Sequence, residues 1–331
     1  MKPTPEYPIN PGAGLRPDER GFTSAASAEA SSQRPSVEGN RNEQPPSCST
    51  LDEVRKYYGS RTEHILKRYG PGPRVHYHAG LVDELEDLDV PAHILRRRLV
   101  DSQERILAHA AEVWRAASNL SGDVLDVGCG LGGGSLFWAQ EFGAHVTAVT
   151  CVPEHVKIVE QFASRVGVGS KVRPLVGDVL ELAGRNCFDA AVSVDASCHL
   201  PRREWFRRLF TLLRPGGRVF ISDCFLGRRE DRMYEDSFNE YWHAQIGTIA
   251  EYHAAAREAG LEPNVVEDLS SRVMHFFSIT RALIQIEAQE AGANRAEAAR
   301  CAASFREHTI MLQGLREHDY VYAQMSFSKG L

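Results

Sequence analysis

The pattern of apolar and polar positions predicts a layered α/β core in the middle of the chain. From Asp123 onward, short β-branched runs alternate with segments of helical periodicity, which is typical of a parallel sheet covered on both faces. Open sheets of this kind bind ligands beyond the carboxyl ends of their strands, so we expect the functional site there. The pattern predicts strands at 123–128, 145–150, 171–176, 189–194 and 217–223, and helices at 134–142, 153–166 and 201–213.

The segments on either side of these strands are predicted to be mainly helical. Apolar residues recur at helical spacing in 51–68 and 91–117, and the glycines and prolines of 70–73 separate the two segments. Residues 225–247 are predicted to be an insertion that is charged at first and then aromatic. The C-terminal pattern predicts a helix at 251–259, a sixth strand starting near 265, helices at 271–290 and 294–316, and a terminal strand at 320–327.

The first fifty residues are rich in Pro, Ser, Gly, Glu and Arg and contain few large aliphatic residues. Such a segment cannot bury enough apolar surface to offset the entropy lost on ordering. We therefore predict three regions. These are a disordered tail at 1–50, an N-terminal helical cap at 51–120, and an α/β core with its insertion and C-terminal helices at 121–331.

Composition excludes several classes of protein. The net charge of the 331 residues is −6, which gives no general attraction to nucleic acid or to an anionic membrane. No apolar run approaches the roughly 20 residues that span a bilayer, and the N-terminus lacks the apolar segment of a signal peptide. None of the seven cysteines forms a C-x-x-C pair. We expect a cytoplasmic protein without a zinc site or a disulfide framework.

A glycine-rich turn follows the first predicted strand, in the sequence LDVGCGLGGGS at 125–135. Such a turn brings backbone N–H groups and a helix N-terminus close to a polar ligand, and it suits nicotinamide, flavin and adenosyl cofactors alike. A nicotinamide site needs an acid after the second strand, whereas Thr150 and Cys151 stand there, which counts against a dehydrogenase. Asp178 and Val179 follow the third strand, where they could read an adenine amino group.

Four motifs between 120 and 225, LDVGCGLGGGS, GDVLEL, FDAAVSVDASCH and LLRPGGRVFISD, resemble those of the class I S-adenosylmethionine (SAM) dependent methyltransferases. The resemblance implies a Rossmann-like seven-stranded sheet with helices on both faces and an antiparallel last strand. It also implies that the glycine turn holds the methionine end of SAM and that Asp178 and Val179 read adenine. In the branch that includes the tocopherol, sterol and prenyl-diphosphate methyltransferases, Thr150 and Cys151 match a turn on the ribose side of SAM. Gln103 matches a helix residue that lies beside the methionine part. The cofactor candidates are therefore Gln103, Asp126, Gly128, Gly130, Thr150, Cys151, Asp178 and Val179.

Methylation of an alkene carbon requires an aromatic pocket with one carboxylate. The alkene attacks the methyl group and leaves a carbocation, which aromatic faces stabilise before a base removes a proton. Asp195 lies just past the fourth predicted strand and is the candidate base. Trp242, inside the insertion, and Tyr77, ahead of the sheet region, are the candidate aromatic residues.

Segments 75–80, 194–199 and 241–246 resemble stretches of the prenyl-diphosphate C-methyltransferases, the geranyl diphosphate 2-C-methyltransferase type. The resemblance implies that an isoprenyl diphosphate is methylated and that Asp195, Trp242 and Tyr77 are catalytic. His76, His78 and Tyr241 would bind the substrate, and Arg74 would face its diphosphate. The family generally uses Mg²⁺ with that group, and it is often homo-oligomeric; the sequence indicates no Mg²⁺ ligands. Further cationic candidates for the diphosphate are Arg202, Arg203, Arg228 and Arg229.

Two departures from that family affect the acceptor. Ala79 stands where the family has an aromatic residue before the glycine, and Asp195 replaces a longer Glu. The alternative within enzymes is O-, N- or C-methylation of another small hydrophobic metabolite, such as a phenol or a polyketide. A nucleic-acid methyltransferase, a SAM-binding scaffold without activity and a dehydrogenase are the remaining hypotheses.

Overall fold

The structure is a computed structural model that describes residues 50–227 and 233–331. The predicted disordered tail lies outside the described residues except for Thr50, and so do residues 228–232 of the predicted insertion. The division into tail, cap and core stays a prediction. Within the described residues, no helix combines the length and the apolar character needed to cross a membrane.

The core is a seven-stranded sheet of the predicted Rossmann-like kind. Its strands are β1 (Asp123–Val127), β2 (His145–Thr150), β3 (Val172–Val176), β4 (Phe188–Val194), β5 (Leu213–Leu226), β6 (Leu261–Asp268) and β7 (Tyr320–Lys329). Their order in the sheet is β3-β2-β1-β4-β5-β7-β6. Strands β1 to β5 pair in parallel, while β7 pairs antiparallel with both β5 and β6. The predicted antiparallel last strand is confirmed.

The insertion of β7 between β5 and β6 carries a C-terminal segment into the middle of the sheet. Its register places Tyr322 opposite Cys224 of β5. Because β5 lies beside β4, Tyr322 comes close to the carboxyl end of β4, where Asp195 follows the strand. Two positions that are far apart in the chain therefore meet at the edge where the site was expected.

Helices cover the sheet and also precede it. They are α1 (Leu51–Gly59), α2 (Thr62–Tyr69), α3 (Ala92–Val113), α4 (Ala117–Leu120), α5 (Gly133–Glu141), α6 (Pro153–Arg165), α7 (Arg202–Leu212), α8 (Met233–Trp242), α9 (Ile249–Glu258), α10 (Ser270–Glu290) and α11 (Arg295–Glu317). The single helix expected at 51–68 is two helices, because the chain turns at Ser60 and Arg61. Thr50 and Glu53 form a capping box that satisfies the first N–H groups of α1.

Alternate residues of the strands face two separate apolar cores, as a period of two requires. On one face, Val124 packs with residues of α3, α5, α10 and α11. On the other face, Leu125 packs with residues of α7 and α9. The sheet therefore has helices on both faces, as predicted.

A buried ion pair fastens the N-terminal helices to the C-terminal ones. Arg68 of α2 donates from Nε and Nη2 to Oε2 of Glu287 on α10, at 3.0 and 2.6 Å. Its Nη1 donates to the Ser304 hydroxyl of α11 at 3.3 Å. Both charged side chains are only 3% exposed. Removal of one partner would leave an uncompensated charge in the interior.

Candidate active site

Two cavities open at the carboxyl edge of the sheet. The glycine-turn cavity encloses about 790 Å³ of empty space, open mouth included, between the turn after β1, the ends of β2 and β3, and α1. The aromatic cavity encloses about 610 Å³ of empty space, its open mouth also included, between the segment at 77–79, α8, α10, α11 and β7.

The glycine turn adopts a backbone that only glycine takes readily. Gly128 has φ +74°, and a Cβ there would lie 2.4 Å from Cβ of Ala196. Gly130 has φ +53°, and a Cβ there would meet nothing within 4 Å. Both glycines line the glycine-turn cavity, so the backbone can approach a ligand without an intervening side chain.

The predicted cofactor residues after β2 and β3 line the same cavity. They are Thr150, Cys151, Asp178 and Val179. Asp178 accepts a hydrogen bond from the N–H of Leu180 at 2.8 Å, through Oδ1. His155 also lines this cavity, and its buried Nδ1 has no hydrogen-bond partner among the described residues. A glycine cradle with an unpaired buried nitrogen and an acid at its rim fits a polar small molecule such as SAM.

Two predicted cofactor residues lie behind the cavity wall instead of in it. Asp126 accepts a hydrogen bond of 2.5 Å from the Ser135 hydroxyl, which joins β1 to α5. Burial raises the pKa of Asp126 to about 6. Gln103 of α3 donates to the carbonyl of His78 at 2.7 Å, while its buried Oε1 has no partner among the described residues. These side chains position the glycine turn and the segment around His78.

The aromatic cavity brings together most of the predicted acceptor residues. Tyr77, His78, Asp195 and Trp242 all line it. The other aromatic side chains in the lining are Tyr58, Tyr69, Phe238, Phe276, Phe277 and Tyr322. Among the described residues that line this cavity there is no Lys or Arg, and the carboxylates are those of Asp195 and Asp223. Its surface is therefore mainly apolar, with two acidic side chains and no basic one among the described residues.

Four residues line both cavities and form the wall between them: Tyr58, Tyr77, Asp195 and His199. The Tyr58 hydroxyl lies 2.9 Å from Nε2 of His199, whose Nδ1 lies 3.1 Å from the carbonyl oxygen of His243. Burial lowers the pKa of His199 to about 4, so the ring is neutral at pH 7. Its Nδ1–H then donates to the carbonyl, and Nε2 accepts from Tyr58.

Asp195 occupies this shared wall in a strained backbone conformation, with φ +47°. Its Oδ2 accepts the Ala79 N–H at 2.7 Å, and its Oδ1 accepts the Tyr322 hydroxyl at 2.7 Å. Burial, and then the neighbouring carboxylate of Asp223, raise the pKa of Asp195 against the lowering effect of these two donors. The carboxyl group is therefore a stronger base than an ordinary aspartate.

Three predicted substrate residues do not reach the aromatic cavity. The guanidinium of Arg74 is held by Gln140 at 2.9 Å, Glu104 at 2.8 Å and Glu141 at 2.6 Å. The buried His76 ring bonds Glu104 at 2.8 Å and the His78 ring at 3.1 Å. Tyr241 packs by its edge against Trp242 outside both cavities.

The other predicted contacts for a diphosphate are also engaged elsewhere. Arg202 pairs with Glu251 and Arg203 with Glu258, while Arg228 and Arg229 lie outside the described residues. No group of three or more His, Cys, Asp or Glu side chains is arranged to hold a metal ion in the described parts of the chain. The described residues therefore do not form a preformed site for a protein-bound Mg²⁺.

Sequence reasoning missed three residues of the site. Tyr58 was part of a helical apolar pattern, and Tyr322 part of an alternating terminal strand. His308 lies in α11, where the 3.6-residue period gave no sign that one polar position faces a cavity. No local signal distinguishes these side chains, because their positions depend on the packing of α1, β7 and α11 around β4.

Comparison with known proteins identifies a domain in the middle of the chain. Residues 124–217 match the profile of a methyltransferase domain. A probable chloroplastic tocopherol O-methyltransferase of Oryza sativa subsp. japonica is 33% identical over 214 residues, which cover 61% of this chain and 58% of the rice protein. The chain thus matches little more than half of that relative's length.

Solved structures share the fold at low sequence identity. A sarcosine dimethylglycine methyltransferase, described as putative, from Galdieria sulphuraria superimposes with a TM-score of 0.70 at 20% identity, covering 82% of this chain and 98% of its own. A geranyl diphosphate C-methyltransferase of Streptomyces coelicolor A3(2), solved with Mg²⁺, geranyl diphosphate and S-adenosyl-L-homocysteine, gives 0.67 at 16% identity, covering 86% and 100%.

The sheet order, the glycine turn and these matches define the class of protein. Residues 124–217 form a methyltransferase domain, and the chain has the class I fold of the SAM-dependent methyltransferases. The predicted class I methyltransferase fold is confirmed.

Proposed function

We propose that this protein transfers the methyl group of SAM to an alkene carbon of an isoprenoid acceptor through a carbocation. The observation that carries the proposal is the position of Asp195 in the wall shared by the two cavities. From there one carboxylate can face both the methyl donor and the acceptor. An aromatic lining beside a single well-placed base is the arrangement that alkene methylation requires.

The glycine-turn cavity is the proposed SAM site. Gly128 and Gly130 would hold the methionine end, Thr150 and Cys151 the ribose side, and Asp178 and Val179 the adenine, with His155 offering a free ring nitrogen. SAM, when bound, supplies a methyl group on a positively charged sulfur, and that sulfur leaves as a neutral thioether. The protein contributes binding and orientation to this step.

The aromatic cavity would control the fate of the acceptor. The π electrons of the alkene form the new carbon–carbon bond and leave a cationic carbon, which the rings of Trp242 and Tyr77 stabilise by about 2 kcal/mol or more in a dry site. The cation then gives a proton to Asp195, and the electrons of that C–H bond form the new alkene. The raised pKa of Asp195 suits it to hold this proton.

An isoprenyl diphosphate is the acceptor that the sequence resemblance predicts. Its diphosphate would need cationic partners, and the described lining offers none, so that group would have to stay at the mouth of the cavity. A second candidate is O-methylation of a hydrophobic phenol. It is favoured by the raised pKa of Asp195, which could remove the proton of an acceptor hydroxyl. A cytoplasmic location and homo-oligomeric assembly stay predictions.

The proposal is tested by incubating the protein with SAM and a panel of isoprenoids and phenols, followed by mass spectrometry. The panel contains geranyl and farnesyl diphosphates with and without Mg²⁺, the corresponding alcohols, and simple prenylated phenols. A gain of one methylene with the oxygen still unsubstituted supports C-methylation, whereas a methyl ether supports the second candidate. Tight SAM binding without any methylated product would reject both.

A further inference from the structure

One histidine of the aromatic cavity has a ring nitrogen without a hydrogen-bond partner among the described residues. His308 of α11 is 5% exposed and lines the cavity. Its Nδ1 lies 2.7 Å from the carbonyl oxygen of Ser304, one turn earlier in the helix, and therefore donates to it. Its Nε2 has no partner among the described residues. The ring thus presents an acceptor nitrogen to the cavity.

The surroundings keep this ring neutral. Burial lowers the pKa of His308 to about 4, and the positive charge of Arg68 acts in the same direction. The ring packs by its edge against Trp242, at 6.3 Å between centroids, and against Phe277, at 5.9 Å. A neutral imidazole among aromatic rings can accept a hydrogen bond from a ligand but cannot supply charge to an anion.

Several other polar groups of the lining are already engaged. Tyr58 and His199 bond each other, and Tyr322 bonds Asp195. Asp223 accepts from the Ser197 hydroxyl at 2.6 Å. With carboxylates and no Lys or Arg in the described lining, an anionic group inside the cavity would be desolvated without compensation. A hydroxyl group, in contrast, would find its acceptor at His308.

We propose that the aromatic cavity binds an uncharged isoprenoid alcohol whose hydroxyl donates a hydrogen bond to Nε2 of His308. The methyl transfer itself rests on the function proposed above. His308 lines only the aromatic cavity, whereas Asp195 lies in the wall shared with the glycine-turn cavity. The hydroxyl end therefore lies away from the methyl donor, and an alkene carbon further along the chain faces Asp195.

Binding measurements separate this proposal from the reaction. Protein saturated with S-adenosylhomocysteine is titrated calorimetrically with geraniol and farnesol, and with their methyl ethers, which keep the chain but cannot donate a hydrogen bond. We expect the better alcohol to bind about tenfold more tightly than its ether, the usual effect of leaving a buried acceptor unpaired. In His308→Phe that ratio should fall to about one, with SAM affinity unchanged.

A second variant guards against a folding defect. His308→Gln keeps an acceptor oxygen and should retain at least part of the preference for the alcohol. This variant tests the contact if His308→Phe is misfolded, which loss of SAM binding would reveal. Equal affinity of alcohol and ether in the unmodified protein would overturn the inference, as would no binding of either alcohol or an unchanged ratio in a folded His308→Phe.

The outcomes also distinguish the two proposals. Alcohols that bind with this preference but give no methylated product would refute the proposed reaction and leave the His308 contact standing. Methylation of the diphosphates alone would support the proposed reaction and reject the uncharged acceptor.

Discussion

The hydroxyl of Tyr322 lies 2.7 Å from Oδ1 of Asp195, although 127 positions separate the two residues in the chain. The other carboxylate oxygen accepts the N–H of Ala79, from the segment before the sheet. One carboxyl group is thus held by the last strand and by the N-terminal region. Its orientation in the wall between the cavities depends on both ends of the fold.

Asp195→Asn should reduce turnover by about 10²- to 10⁴-fold, because it removes the proposed proton acceptor. SAM affinity should stay near the unmodified value, since the glycine turn is untouched. Steady-state kinetics and a SAM titration check both points. Tyr322→Phe is the matched control: it keeps the carboxylate, removes one donor and should cost far less. Full activity in Asp195→Asn would exclude Asp195 from the mechanism.

Asp223→Asn should move the pH dependence of the reaction to lower pH. The negative charge of Asp223 helps to raise the pKa of Asp195, so its removal lowers that pKa. Because the base acts when ionised, kcat/KM should rise with pH and should reach its plateau earlier in the variant. A profile that does not move would show that these carboxyl groups do not titrate together during the reaction.

Trp242→Leu should lower kcat by about 30-fold, if the indole contributes the roughly 2 kcal/mol of a desolvated cation–π contact. Tyr241→Leu is the control, because Tyr241 is adjacent in sequence but lies outside both cavities. Trp242→Phe, which retains an aromatic face, should lie between the two. Equal losses of kcat in Trp242→Phe and Trp242→Leu would contradict the stabilisation of a carbocation by an aromatic face at this position.

Gly128→Ala should mainly reduce stability, whereas Gly130→Ala should mainly reduce SAM affinity. At Gly128 the new Cβ would clash with Ala196, so we expect a loss of about 1–3 kcal/mol in the free energy of unfolding. At Gly130 the Cβ enters open space in the cavity, so SAM affinity should fall with a smaller change in stability. Thermal unfolding and SAM titration of the two variants measure this difference.

Glu287→Gln should destabilise the protein by about 3–5 kcal/mol, because Arg68 would remain buried without its counter-ion. The double variant Arg68→Met, Glu287→Leu should recover much of this loss, since it removes both charges together. Denaturant unfolding of Arg68→Met, of Glu287→Leu and of the double variant gives the coupling energy. Additive effects would mean that the pair does not act as a unit.

Much of the α/β core could be predicted because its signals are local. Strand and helix periods, the glycine turn and Asp195 at a strand end all lie in short windows of sequence. Arg74 shows where local reasoning stops. Its charge suggested a partner for an anionic ligand, but α3 and α5 bring Glu104 and Glu141 to it, and the ion pairs remove it from the site.

The acceptor specificity could not be predicted, because it depends on long-range packing. His308 faces the cavity only because α11 packs beside α10 and α8. Its tautomer is fixed by the carbonyl of Ser304. Tyr58 meets His199 across 141 positions. None of these relationships leaves a pattern in a single helix or strand.

The wall formed by Tyr58, Tyr77, Asp195 and His199 makes the two binding events thermodynamically linked. A ligand in either cavity touches these same four side chains, so any shift of the wall caused by the first ligand changes the surface that the second one meets. By reciprocity, the donor and the acceptor must change the affinity of each other by the same factor. The two affinities can therefore be altered together by a substitution in this wall.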